Sequence, residues 1–159
     1  MNKNFDKKNA LILTDGILSK PYAKTAHGLI RYSEKFLIKA ILDNHHSGND
    51  AGDILDDSYR NIPVLSSIDE IIDKFSIEWA IVGIAPIGGK MTSTLKKDII
   101  KCLDKGISVI SGLHDYLYKN TLINTAAKKS RSKIIDIRKP KSQNKLHAFT
   151  GEISKLKTP

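Results

Sequence analysis

A chain of 159 residues, 40% hydrophobic and 27% charged, is long enough for one globular domain with its own core. No apolar run approaches the roughly 18 residues of a membrane helix. The polar start Met1–Lys8 lacks a signal-peptide pattern, and the single cysteine, Cys102, excludes an internal disulfide or a cysteine zinc cluster; a cytoplasmic protein without membrane attachment is expected.

The elements follow in chain order. Residues 1–9 read as a flexible tail. Ala10–Thr14 is an apolar first strand, followed by a long turn with Gly16 and Pro21, and a helix starts near Lys24 or Thr25 and runs to about Tyr32. Phe36–Leu42 is the second strand. The polar stretch Asp43–Asp57 is loop with a short helix at Ala51–Leu55, and Ile62–Leu65 is a short strand. Ser67 and Glu70 have the spacing of a capping box, and Ile68, Ile71, Ile72 and Phe75 give the following helix an apolar face. Glu78–Ile84 is apolar without alternation, which predicts a strand buried on both faces. Thr92–Gly106 is helical, with Leu95, Ile99, Cys102 and Leu103 on one stripe and Gly106 as its stop. Ile107–Ile110 is a strand, 115–130 a helix, and Lys133–Ile137 a last strand; 139–159 is a basic linker.

Strands alternating with helices imply an α/β fold: a Rossmann-like doubly wound, mostly parallel sheet of about six strands over residues 10–138, with right-handed crossovers. In such a sheet ligands sit at the carboxyl ends of the strands. Four polar or glycine-rich turns converge there. They are Thr14-Asp15-Gly16, Asp43 to His46, Gly83 to Gly89, and Ser111 to Asp115.

The first turn holds one glycine, so the G-x-G-x-x-G of a dinucleotide fold is missing. Asp43 does stand where a ribose-binding acid would, although aspartate also starts turns. Gly88-Gly89-Lys90-Met91-Thr92 lies between a strand and a helix, the setting of an anion loop. The P-loop pattern fails, because Gly89 stands where lysine is needed and Met91 precedes Thr92. The same glycines would also serve close strand–helix packing.

Lys24 and Thr25, at a helix start, are candidates for holding a phosphate or carboxylate, and Asp15, Pro86, Ser111 and Gly112 line the same edge. His27 and His114 are candidate acids or bases; a purely structural histidine is the alternative for each. His45 and His46 are adjacent and diverge, so no metal site is expected. Ser111 lacks a G-x-S-x-G elbow.

The net charge of +9 is concentrated after residue 84, where 16 basic side chains face 5 acidic ones. That excess suits an anionic ligand or a docking surface. Basic residues do not alternate with aromatic ones, so no nucleic acid is expected as a partner.

Several ordered segments carry a family resemblance. Lys24-Thr25-Ala26-His27-Gly28-Leu29-Ile30-Arg31-Tyr32, Gly83-Ile84-Ala85-Pro86-Ile87-Gly88-Gly89, Ser111-Gly112-Leu113-His114 and Asp136-Ile137-Arg138-Lys139-Pro140 resemble the N-terminal domain of domain-of-unknown-function family 1611. The resemblance implies a Rossmann-like domain normally followed by a C-terminal P-loop domain. It implies N-acetylation of D-glutamate with acetyl-CoA, or an NAD-dependent epimerase. His147-Ala148-Phe149-Thr150-Gly151-Glu152 resembles the interdomain connection, and the chain stops about where the P-loop domain would begin.

The expected function is therefore the substrate-binding domain of a two-domain N-acyltransferase acting on a small acidic amino acid, inactive alone. The P-loop domain, or a separate chain carrying it, is the expected partner, and a homo-oligomer is expected. No cofactor is expected on this domain by itself; acetyl-CoA or a nucleotide would join the complete protein. A non-catalytic oligomerisation or ligand-sensing module, and a nucleotide- or NAD-dependent epimerase or oxidoreductase, are the alternatives.

Overall fold

The computed structural model describes residues 7–139; most of the expected tail and linker lie outside them. Six parallel strands form one sheet in the order β3-β2-β1-β4-β5-β6. They are β1 (Lys8–Leu13), β2 (Phe36–Leu42), β3 (Val64–Leu65), β4 (Trp79–Val82), β5 (Ser108–Ser111) and β6 (Ile134–Asp136). The helices are α1 (Lys24–Tyr32), α2 (Ala51–Leu55), α3 (Ile68–Lys74), α4 (Ser93–Asp104) and α5 (Thr121–Ser130). This is the doubly wound Rossmann-like arrangement, and the strand order reverses between β1 and β4.

The centre of the sheet is apolar, as a strand covered on both faces requires. Ala10, Leu11, Ile12 and Leu13 are fully buried, as are Leu95, Ile99, Cys102 and Leu103 on the inner stripe of α4. Each large apolar side chain so buried contributes about 2 kcal/mol. Gly83 is a packing requirement: a Cβ there would lie 2.4 Å from Ile12 and 2.8 Å from the Ala26 side chain. That close approach brings α1 onto the end of β4, where Ala26 N–H donates to the Gly83 carbonyl at 2.8 Å.

Three details depart from the sequence reading. β1 starts before Ala10, because Asn9 is fixed from across the chain: its side chain donates to the Ser76 carbonyl at 2.9 Å and its N–H to Glu78 at 3.2 Å. The expected capping box at Ser67 does not form; Glu70 reaches forward to Lys74 at 2.8 Å. The reciprocal box lies instead at α2, between Asp50 and Asp53. Finally, the expected helix over 115–130 is a short 3-10 turn, Leu117–Lys119, and then α5, which Asn120 caps by accepting from Ile123 N–H. The Asp136 carboxylate pins that turn by accepting from Leu117 and Tyr118 N–H at 3.0 Å each.

Candidate functional site

The switch point between β1 and β4 places two loops face to face at the carboxyl edge. The loop after β1 is closed by the protein's own groups. Asp43, at the end of β2, accepts Thr14 Oγ1 (2.7 Å) and Leu18 N–H (2.9 Å) on one oxygen. The other takes His45 N–H, His46 N–H and His46 Nδ1, at 3.1, 3.1 and 2.9 Å. Burial pushes this carboxyl up, but the bonds from Thr14, His46 and Leu18 outweigh it and hold its pKa below the ordinary value. Both oxygens of the residue placed like a ribose-binding acid are thus spent on the loop.

The histidines complete this clamp. His27 Nε2 bonds the Leu18 carbonyl at 2.6 Å, and His45 Nδ1 bonds the Gly16 carbonyl at 2.8 Å. Gly16, at φ 78°, leaves no room for a side chain against His45. Leu18 is fully buried. Lys24 and Thr25 are exposed on the first turn of α1.

The loop after β4 is built differently. Gly89 N–H donates to the Pro86 carbonyl at 2.8 Å across Gly88, whose φ of 75° and ψ of 0° suit glycine. Gly89 is also left-handed, at φ 64°, and a Cβ on it would lie 2.8 Å from His114 Cδ2. The turn is therefore seated directly on the loop after β5. Lys90 is exposed beyond it. Thr92 then caps α4 by accepting from Leu95 N–H at 3.0 Å, and its hydroxyl donates to Asp15 at 2.6 Å. That bond joins the β1 and β4 loops. Burial, and then the charge of Asp15, push the Asp98 carboxyl up beside it. Asp15, Asp43 and Asp98 line a small cavity of about 90 Å³.

Pro86, Gly88, Gly89, Gly112 and His114 come together with Arg138 around a cleft of about 380 Å³. Ser111 is buried at the end of β5, where its Oγ accepts from Leu113 N–H at 3.2 Å. Arg138 Nη1 donates to His114 Nε2 at 3.0 Å. Arginine holds only donors, so this contact fixes His114 as the acceptor at Nε2. Among the described residues Arg138 has no carboxylate partner. Tyr116 holds its backbone by donating to the Arg138 carbonyl at 3.1 Å. Tyr116 in turn stacks on Tyr118, their centroids 5.6 Å apart, and Lys139 lies 4.4 Å over Tyr118.

Arg138, Tyr116 and Tyr118 are absent from the residues picked out by chemistry in the sequence. The available signal is the run Asp136-Ile137-Arg138-Lys139, which starts on the last residue of β6. Of the picked residues, Lys24, Thr25 and His27 stand apart from this cleft, on α1. A second depression, about 390 Å³, opens at the start of β2 beside Arg31, Lys39 and Arg60. It lies at the amino end of the strand, away from the edge where doubly wound folds bind ligands.

Residues 44–140 match the family described as domain of unknown function DUF1611_N, a Rossmann-like domain. The chain belongs to this family. A crystal structure of a DUF1611 family protein from Anabaena variabilis is 26% identical, with a TM-score of 0.76. The match covers 86% of this chain and 38% of that protein, so the chain spans well under half of its relative. Amine dehydrogenase from Mycobacterium smegmatis is 12% identical with a TM-score of 0.56, over 82% of this chain and 39% of the dehydrogenase. At that identity the likeness is one of fold. No curated protein matches the chain. Among the described residues of this DUF1611_N domain, no helix is long and apolar enough to cross a membrane, and no three His, Cys, Asp or Glu side chains are grouped to hold a metal ion.

Proposed function

We propose that this chain is the substrate-binding domain of a two-domain N-acyltransferase, and that the cleft between the β4 and β5 turns receives the carboxylate of a small acidic amino acid such as D-glutamate. The observation that carries this reading is Arg138. Its guanidinium stands at a glycine-lined cleft, bonded to His114 and without a carboxylate partner among the described residues, while Tyr116 holds the Arg138 backbone carbonyl. A planar fork of donors suits a carboxylate, and bare glycine backbone lets a small ligand approach closely. In this reading His114 orients Arg138. Asp15 and Thr92 fasten the neighbouring loop, and the acyl donor, acetyl-CoA, arrives on a C-terminal P-loop domain. A relative more than twice as long as this chain supports a second domain.

The β1 loop argues against the nicotinamide alternative. The acid that would take a ribose is engaged by five hydrogen bonds, and Leu18 fills the turn where glycines would admit a pyrophosphate.

A thermal-shift series tests the proposal. A ligand at about 100 times its Kd stabilises the folded state by about 2.7 kcal/mol. D-glutamate is expected to raise the Tm of this chain and to leave the Arg138→Ala variant unmoved. A shift with NAD instead, or an equal D-glutamate shift in the variant, would overturn the assignment.

A further inference from the structure

Three side chains at the ends of β1 and β2 form a hydrogen-bonded line away from the Arg138 cleft. Ser19 Oγ lies 3.0 Å from His46 Nε2, and His46 Nδ1 lies 2.9 Å from Asp43 Oδ1. Burial is graded along the line: Ser19 is exposed, His46 half-buried and Asp43 buried. The Asp43 carboxylate is immobilised by Thr14 Oγ1 and by the N–H groups of Leu18, His45 and His46. Those bonds hold it ionised, so it accepts and His46 Nδ1 donates. The lone pair of a neutral His46 is then on Nε2, facing the Ser19 hydroxyl. A serine whose base is oriented by a buried acid is the arrangement of nucleophilic acyl chemistry, which is recognised by geometry whatever the chain order.

We infer that Ser19 is an activated nucleophile that takes an acyl group from an activated ester or thioester, with His46 as its base and Asp43 as the positioning acid. Ser19 Oγ attacks the acyl carbon and a C–O bond forms, while the hydroxyl proton passes to His46 Nε2. The bond to the alcohol or thiol then breaks, and the leaving group takes that proton. Water, deprotonated by His46, next attacks the acyl-serine, releases the carboxylic acid and restores Ser19. Ser19, His46 and Asp43 share no residue with the lining of the Arg138 cleft.

The test uses p-nitrophenyl acetate as the probe on this chain. Release of p-nitrophenolate is followed at neutral pH, and the acetyl group is located by peptide mass spectrometry. Wild type is expected to carry acetyl on Ser19. Ser19→Ala, at an exposed side chain that leaves the circular dichroism spectrum unchanged, is expected to abolish that label and the fast release. His46→Gln is expected to slow release about 100-fold or more, the usual worth of a positioned base. Release at the wild-type rate in Ser19→Ala, with acetyl on lysines or histidines alone, would overturn the inference.

Discussion

Arg138 donates to His114 Nε2 across 3.0 Å, tying the chain just after β6 to the loop after β5. In the proposed site the two residues act as one binding unit, with the arginine supplying charge and the histidine fixing its direction. A hydrogen bond to a charged group is worth about 1.5–3 kcal/mol, so Arg138→Ala is expected to weaken D-glutamate binding about tenfold or more. His114→Ala should weaken it less, because the guanidinium remains. Isothermal titration of both variants checks the order. Equal affinity in Arg138→Ala and wild type would contradict it.

Gly89→Ala strikes the same cleft through the backbone. The residue is left-handed at φ 64°, and the new Cβ would meet the His114 ring. The backbone term alone costs about 1 kcal/mol, and displacement of His114 adds to it. Urea denaturation is expected to show that loss, and titration a weaker ligand complex. Gly88→Ala, where the space is open, should show the stability loss without a displaced histidine.

Asp43 makes stability depend on pH. Its folded pKa lies below the ordinary value of 3.8, so the unfolded chain takes up the proton first as pH falls. The stabilisation is complete above the unfolded value and is lost as pH drops through the folded one. Asparagine offers one acceptor oxygen and turns an N–H₂ group toward other donors. Asp43→Asn is expected to cost about 1–3 kcal/mol at neutral pH and to flatten the fall in stability below about pH 4. Asp50 and Asp69 are lowered too, and Asp56 is held at about 2 by Arg60 and Arg31, so part of the acid dependence survives. Denaturant unfolding across the acid range checks it.

Cys102 is fully buried on α4, and burial pushes its thiol up to about 12. The thiolate is the reactive form. A disulfide reagent is expected to leave the native chain unmodified at neutral pH and to titrate one thiol once denaturant is added. Rapid labelling of the native chain would show that α4 opens locally.

The central fold was legible because periodicity is local information. β2 over Phe36–Leu42 and α2 over Ala51–Leu55 emerge where the apolar pattern and the polar loop predict them. What failed was set at long range. Asn9 joins β1 because of Ser76 and Glu78, and the 115–130 segment breaks because the Asp136 carboxylate claims Leu117 and Tyr118. In the candidate site, Gly88, Gly89 and His114 were visible as turn residues at strand ends. Asp43 fits both a ribose-binding acid and a turn starter in the sequence, which does not show that Thr14 and Leu18 point back at it. Arg138 stands in the sequence at the domain's end, in a run that resembles the family, but that run does not show that β6 carries it to His114.

An amide-resolved NMR titration of this chain with D-glutamate locates the binding site directly. Binding in the Arg138 cleft is expected to shift Gly88, Gly89, Gly112, His114 and Arg138, saturating with ligand and absent in Arg138→Ala. Shifts centred on Gly16, Leu18 and Asp43, or a spectrum that D-glutamate leaves unchanged, would contradict it.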